Sequence, residues 1–187
     1  EVMMQKVVLV PLAKGFEELE AVTIIDVLRR AGARVVVAGL DSTDLVQSQG
    51  GIFIRPDSKM ELIEPQNIDM IVLPGGWGGT VTLASHPLVR SVVEALHKRQ
   101  KPIGAICAAP YALSEIGVIG GRYTCYPGIQ EKIQEGEFVE SPVVESDHIL
   151  TSQGPATALP FALALVEKLF GKTQRDEVAR AMLVIDS

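Results

Sequence analysis

The stretch Lys101-Pro-Ile-Gly-Ala-Ile-Cys-Ala-Ala-Pro110 decides the fold, because it predicts a buried strand that turns directly into a helix. The apolar run 103–106 is typical of a strand, and Pro110 is typical of the first turn of a helix. Cys107 lies between them without a loop, as in a nucleophile elbow, a sharp turn that lifts one side chain above a sheet. The free N–H groups of the helix favour a thiolate there. The alternative is a structural cysteine that packs like a small apolar residue.

Outward from this stretch, strands and helices alternate, which predicts a three-layer α/β/α sandwich with a mostly parallel sheet. Residues 6–38 form a βαβ pattern, with strands at 7–10 and 33–38 around a helix that begins near Phe16 or Glu17. We find no repeat and no linker, so we expect one domain over residues 1–187. The other predicted elements are a hairpin of 45–48 and 51–55, a strand at 69–73, a helix capped by Ser85 that runs to about Gln100, a helix near 129–134, short strands at 143–144 and 149–151, a helix at 156–170, and a last helix from a capping box at Thr173–Asp176 to about Leu183.

Composition excludes several classes of protein. A net charge of −6 and a pI near 5.1 provide no electrostatic footprint for nucleic acid. Two cysteines in 187 residues make neither a disulfide framework nor a four-thiolate metal site, and no spacing suggests another metal site. No apolar run approaches the roughly 20 residues that a membrane span needs, and Glu1–Gln5 lack the basic start of a signal peptide. We therefore expect a soluble, cytoplasmic protein without a metal.

Acidic residues and glycines follow two other predicted strands, at the sheet edge where parallel sheets bind ligands. Glu20 begins the helical stripe that faces the sheet, so burial raises its pKa, and a protonated Glu20 can donate a hydrogen bond to a thiolate. The alternative, an acid that complements the helix dipole, suits Glu17 and Glu18 better. The pair Gly75-Gly76 either offers N–H groups for an oxyanion hole, with the N–H of Ala108 as second donor, or forms an ordinary turn.

The remaining candidate residues give weaker indications. We expect surface or capping roles for His86, at a helix start, for His97, within a helix, and for His148, in a turn. Trp77 either lines a pocket mouth or packs in the core, and we expect Cys125 to be a packed, non-catalytic thiol.

Four segments, in their order and spacing, resemble the ThiJ/PfpI superfamily, and within it the DJ-1 branch. They are Leu12-Ala-Lys-Gly-Phe-Glu-Glu-Leu-Glu20, Leu73-Pro-Gly-Gly76, Ala105-Ile-Cys-Ala-Ala-Pro110 and Thr151-Ser-Gln-Gly-Pro155. The resemblance runs from about Lys6 to Leu183. It implies a flavodoxin-like sandwich, related to class I glutamine amidotransferases, that is usually a homodimer.

The same resemblance implies a role for each site residue. Cys107 would be the readily oxidised elbow cysteine and Glu20 its protonated partner, while the amides around Gly75, Gly76 and Ala108 would bind an oxyanion or oxidised sulfur. It implies a cofactor-free glyoxalase that needs no glutathione and converts methylglyoxal to lactate, or a deglycase acting on methylglyoxal adducts of proteins and nucleotides. Redox-regulated chaperone and stress-sensor roles belong to the same branch.

Three positions depart from the family pattern. Tyr126, which we expect in the pocket with Pro155, stands where the animal branch has a histidine, so this motif supplies no Cys–His pair. Ala108 stands where the protease-like branch has a histidine, which argues against a peptidase. Ala156 replaces a glycine, which alters the pocket wall.

Three functions therefore compete. The first is an enzyme in which the Cys107 thiolate attacks a 2-oxoaldehyde and Glu20 moves the proton. The second is a redox sensor or holdase chaperone in which Cys107 is oxidised to sulfinate. The third is a binding module in which Cys107 is only packed.

Overall fold

A central sheet of seven strands is covered on both faces in the computed structural model, which describes residues 5–185. Its inner strands are short apolar runs buried along almost their whole length, as expected of a parallel sheet between two helical layers. The strands are β1 (Val7–Leu12), β2 (Arg34–Gly39), β3 (Val46–Gln47), β4 (Phe53–Ile54), β5 (Ser58–Lys59), β6 (Met70–Leu73), β7 (Ile103–Ile106), β8 (Arg122–Tyr123), β9 (Glu137–Phe138), β10 (Val143–Ser146) and β11 (Ile149–Ser152).

The main sheet has the order β10-β11-β7-β6-β1-β2-β5, and every neighbouring pair is parallel except β10 with β11. The mostly parallel α/β sandwich is thus confirmed. The chain runs outward from β1 to β2 and β5, then returns to place β6 on the other side of β1. This reversal opens a crevice at the carboxyl ends of β1, β6 and β7, where ligands bind in such sheets.

The described part of the chain contains six α-helices, which form the two covering layers. Helices of the first layer bury apolar side chains against one sheet face together with Leu9, Ile71 and Ile103, and helices of the second do so against the other face with Val8, Val10 and Val72. The first layer is α2 (Trp77–Ser85), α3 (Pro87–Lys98) and α4 (Pro110–Ile116), and the second is α1 (Glu18–Arg30), α5 (Ala158–Phe170) and α6 (Lys172–Ala181). Among residues 5–185, no helix has the length and apolarity to cross a membrane.

The structure corrects three predicted helices and adds one helix. Ser85 ends α2 and does not cap α3; instead His86 Nδ1 accepts from the Leu88 N–H at 3.3 Å. The whole of α2 was missed, because its start, Trp77-Gly-Gly, has low helix propensity. The predicted box at Thr173–Asp176 lies inside α6, which begins after Gly171, and 129–134 contains only a short 3-10 helix, Ile129–Lys132.

Candidate active site

Cys107 forms the turn between β7 and α4 with a backbone φ of 66°, a left-handed conformation that residues other than glycine seldom adopt. Neighbouring chain segments hold this strained turn from both sides. The Cys107 N–H donates to the Ser152 carbonyl at 2.9 Å, and the Cys107 carbonyl accepts from the Tyr126 N–H at 2.9 Å. The side chain is half-buried, so the sulfur is fixed in place and still accessible.

Glu20 lies beneath the elbow, with no exposed surface. Its Oε1 accepts from the Gly75 N–H at 3.0 Å, while Oε2 has no hydrogen-bond partner among the described residues. Burial, followed by the nearby Glu17 carboxylate, raises the pKa of Glu20 to about 7, and interactions with the Cys107 thiol and the Gly75 N–H oppose this rise. Glu17 also caps α1, since its Oε2 accepts from the Glu20 N–H at 2.7 Å. A buried carboxyl that holds its proton near neutrality thus adjoins the thiol.

The glycine pair allows three segments to meet at this point. A Cβ on Gly75 would overlap the Glu20 carboxyl and lie 2.7 Å from the Cys107 Cβ. Gly76 has a φ of 91°, and a Cβ there would lie 2.8 Å from the Glu17 backbone nitrogen. Only glycine fits at either position, so this pair is more than an ordinary turn.

The sequence predicted a thiolate favoured by the helix N-terminus, but the surroundings of Cys107 raise its pKa above the ordinary thiol value. Burial is the largest cause, and the charge of Glu20 is the next; hydrogen bonds from the backbone N–H groups of Ala108 and Gly76 only partly offset them. The two acids are close enough to titrate as a pair. A proton on Glu20 removes the repulsion and lets the carboxyl donate to the sulfur, so the thiolate depends on a protonated Glu20.

The Cys107 sulfur opens into a cavity of about 350 Å³. The structure brings Gly76, Ala108, Tyr126 and Pro155 together around it, and places Glu20 and Gly75 below. The complete lining is Glu17, Gln49, Gly76, Trp77, Cys107, Ala108, Tyr126, Ile129 and Pro155.

Sequence reasoning missed three of these positions. It treated Glu17 only as a dipole-complementing acid, and it did not consider Gln49 or Ile129. Gln49 lies in the β3–β4 turn, where its N–H donates to the Phe16 carbonyl at 2.8 Å. No local signal in the sequence indicates this contact, because the two residues are 33 positions apart.

The other candidate residues lie elsewhere. His86 caps α3 and its Nε2 lies 3.0 Å from Asp41 Oδ1, while His97 Nδ1 and His148 Nε2 form an unpredicted pair 2.9 Å apart. Cys125 is fully buried, and burial raises its pKa to about 11, as suits a packed thiol. Within residues 5–185, no group of three or more His, Cys, Asp or Glu side chains is placed to hold a metal ion.

Known proteins resemble this chain in sequence and in fold over nearly its whole length. The sequence pattern described as the DJ-1/PfpI family matches residues 6–168. Protein dj-1beta of Drosophila melanogaster is 39% identical over 184 residues, which are 97% of this chain and 98% of that protein. A crystal structure of Drosophila melanogaster DJ-1beta superposes with a TM-score of 0.94 at 38% identity, covering 98% of this chain and 100% of that one.

Two further relatives differ in how much of their own length this chain covers. The protein named glutathione-independent glyoxalase DJR-1.2, from Caenorhabditis elegans, is 36% identical over 168 residues, 89% of each protein. Protein DJ-1 homolog B of Arabidopsis thaliana is 39% identical over 179 residues, 95% of this chain. The chain spans only 41% of the length of that plant relative.

Proposed function

Because this chain belongs to the DJ-1/PfpI family, we propose that it is a cofactor-free glyoxalase that converts methylglyoxal and related 2-oxoaldehydes to 2-hydroxy acids. One observation carries the proposal. A strained elbow cysteine and two backbone N–H donors meet at one cavity, and the buried Glu20 carboxyl, whose pKa is raised to about 7, lies next to the cysteine beneath it. The relative named as a glutathione-independent glyoxalase supports the same chemistry.

The first step is addition of the Cys107 sulfur to the aldehyde carbon. The Cys107 thiol passes its proton to Glu20, a carbon–sulfur bond forms, and the carbonyl electron pair moves to the oxygen, which faces the N–H groups of Gly76 and Ala108. Glu20 then gives this proton to the oxygen, which makes the hemithioacetal and leaves Glu20 ionised; its pKa of about 7 suits both transfers near neutrality.

Glu20, now ionised, removes the proton from the carbon that bears sulfur and delivers it to the adjacent carbon, while the hydroxyl proton of the hemithioacetal moves to the neighbouring oxygen through an enediol. This transfer converts the hemithioacetal into the thioester of a 2-hydroxy acid. Water then cleaves the carbon–sulfur bond, releasing the 2-hydroxy acid and the Cys107 thiol. The sum is one oxoaldehyde plus one water giving one hydroxy acid, without a change in net oxidation state.

Proton transfer in this scheme uses no histidine. Tyr126 occupies the position of the family histidine and contributes to the cavity wall, and none of the three histidines lines the cavity. Glu20 and water therefore carry the protons. Action on early methylglyoxal adducts of proteins or nucleotides would need the same attack by Cys107.

A redox-sensor function is the second candidate, favoured by the two N–H groups that face the Cys107 sulfur. These donors stabilise the negative oxygens of a sulfinate as well as an oxyanion. Peroxide would then add two oxygen atoms at Cys107 before any appear at the fully buried Cys125.

The homodimer also remains a proposal. Exposed apolar side chains at Leu19 and Val22 of α1 and at Ile52 and Phe53 of the adjoining hairpin offer a surface for a second copy. The hairpin is tied to α1 by the Gly50 N–H, which donates to Glu18 Oε2 at 3.2 Å. Light scattering on the wild type and on Phe53→Glu tests this surface, because a buried charge would split a dimer.

The test of the enzyme is methylglyoxal consumption with lactate formation in the absence of glutathione, for the wild type, Cys107→Ala and Glu20→Gln. Turnover by the wild type alone supports the mechanism. A wild type without turnover overturns it, and mass spectrometry of Cys107 after peroxide treatment then tests the sensor.

A further inference from the structure

Trp77 forms one wall of the cavity, next to the Gly76 amide. It is the first residue of α2, and its ring packs on Tyr111, with ring centroids 5.1 Å apart and planes tilted by 49°. The Lys132 ammonium lies 5.5 Å from the Trp77 ring centroid and does not line the cavity. The ring is held by these contacts and remains 43% exposed, which leaves apolar surface for a ligand.

Tyr126 and Pro155 also line the cavity. Tyr126 is bound to the elbow through its N–H, and its ring lies against Gly154, where a Cβ would be 3.5 Å from Tyr126 Cδ2. Ile129 belongs to the same lining, and its N–H donates to the Tyr126 carbonyl at 3.0 Å. We call the four residues Trp77, Tyr126, Ile129 and Pro155 the apolar mouth.

The charge around the mouth disfavours anions. No lysine or arginine is among the described residues that line the cavity, and Glu17 is the carboxylate in this lining. Phosphate and carboxylate groups are usually bound by cationic side chains, which this cavity lacks. A neutral, apolar substituent therefore fits the site better than an anionic one.

We propose that the apolar mouth makes this protein selective for 2-oxoaldehydes with a flat, apolar substituent, so that an arylglyoxal is preferred over methylglyoxal. This inference rests on the proposed function, because the aldehyde carbon is taken to react at Cys107. The substituent then projects between Trp77 and Tyr126, where aryl rings gain both burial and aromatic contact. Anionic substrates, including adducts of phosphate-bearing nucleotides, are disfavoured.

The kinetic test compares kcat/KM for methylglyoxal, phenylglyoxal and para-carboxyphenylglyoxal. We expect phenylglyoxal to be preferred over methylglyoxal by about tenfold, mainly through KM, as one aromatic contact and the buried ring would provide. The para-carboxy compound should lose most of this advantage. Equal kcat/KM for all three substrates overturns the inference while leaving the proposed function intact.

Substitutions test whether the apolar mouth causes the preference for phenylglyoxal over methylglyoxal. The ratio of the two kcat/KM values should fall severalfold in Trp77→Leu, which keeps an apolar residue without the ring, and in Tyr126→Leu. Leu62→Ala, an exposed apolar residue outside the cavity, is the matched control and should keep the wild-type ratio. A preference that survives both leucine variants overturns the assignment.

A second measurement does not depend on turnover. Cys107 is alkylated by N-phenylmaleimide or N-methylmaleimide, and the rate ratio is compared with that of free glutathione. A phenyl-to-methyl ratio several times that of glutathione, reduced in Trp77→Leu, supports the mouth even if no oxoaldehyde turns over, in which case only the proposed function fails. A ratio equal to that of glutathione overturns the inference.

Discussion

The two ends of strand β7 carry titratable groups in opposite settings. At its carboxyl end, Cys107 and Glu20 are buried wholly or in part, and one Glu20 oxygen lacks a hydrogen-bond partner within the described chain. At its amino end, the Ile103 N–H donates to the His148 carbonyl at 2.9 Å, and the His148 ring pairs with His97 nearer the surface. Strand β7 thus connects a strained site that contains a polar atom unpaired within the described residues to a site whose polar groups form hydrogen bonds.

This difference leads us to expect chemistry at the carboxyl end of β7 and none at its amino end. Burial gives Glu20 a pKa of about 7, and it couples the Glu20 proton to the Cys107 sulfur. Near His148, burial and the charge of His97 lower the His148 pKa, and the described residues that line the cavity of about 170 Å³ there include no cysteine.

Removal of the Cys107 sulfur should have the largest effect on turnover. Cys107→Ala should lower methylglyoxal turnover by about 10³-fold or more, since the covalent step disappears. His148→Gln, at the other end of β7, and Cys125→Ala should stay within about twofold. Lactate formation measures all three variants. A comparable loss of turnover in His148→Gln would mean that the reacting group lies at the amino end of β7, which contradicts the prediction.

Removal of the buried acid should have the next largest effect. Glu20→Gln retains the shape of the side chain but cannot carry the proton, so kcat should fall by about 10²- to 10⁴-fold. Its matched control is Glu145→Gln, a carboxylate near the amino end that pairs with Lys168 at 3.1 Å. Full activity in Glu20→Gln would contradict the proposed role of Glu20 in proton transfer.

The pH dependence of stability should also follow Glu20. Its pKa is raised from 4.5 to about 7, so the folded state binds more protons between these values, and the stabilisation is present at low pH and lost as pH rises towards 7. From pH 5 to 8 the wild type should lose on the order of a few kcal/mol relative to Glu20→Gln. Urea unfolding of both proteins at the two pH values measures this loss of stability. An equal change in unfolding free energy for the two proteins would refute the prediction.

Steric crowding predicts the next effect. Gly75→Ala places a Cβ against Glu20 and Cys107 and should destabilise the fold by about 1–3 kcal/mol. At the other end, Gly120→Ala meets no atom within 4 Å and should change the unfolding free energy by less than about 0.5 kcal/mol. Thermal unfolding distinguishes them, and equal melting temperatures would mean that the elbow is not tightly packed.

The smallest effect concerns His148, whose pKa is lowered from 6.5, first by burial and next by His97. The folded state therefore binds fewer protons than the unfolded chain just below pH 6.5, and this contribution to stability is lost as pH falls through that range. The contribution of His148 to stability therefore increases with pH, whereas the contribution of Glu20 decreases with pH. An NMR titration of the His148 ring should show a midpoint below 6.5; a midpoint above it contradicts the prediction.

Much of the site was predictable because its signals are local or carried by family motifs. The elbow was recognised from an apolar strand, Cys107 and a proline-led helix, and the buried position of Glu20 from the spacing of the α1 stripe. The motifs also indicated Gly76, Ala108, Tyr126 and Pro155, which the structure gathers at one cavity. Their roles in catalysis remain predictions.

Other features depended on contacts that local patterns do not contain. Helix α2 has a glycine-rich start, and its Gly79 lies so close to Phe16 that a Cβ would be 3.1 Å from the Phe16 nitrogen. The His97–His148 pair joins residues 51 positions apart. Tertiary packing outweighs local helix propensity in the first case, and it alone creates the second.

The sequence by itself determined the alternation of strands and helices, the parallel sheet and the elbow, because hydrophobic periodicity and turn residues act over a few positions. Only the tertiary structure decided the protonation of the site. The helix N-terminus predicts a favoured thiolate, but burial and the adjacent Glu20, which is more than 80 positions away in the chain, raise the Cys107 pKa. Desolvation depends on what surrounds a group in space, and a local sequence pattern does not record it.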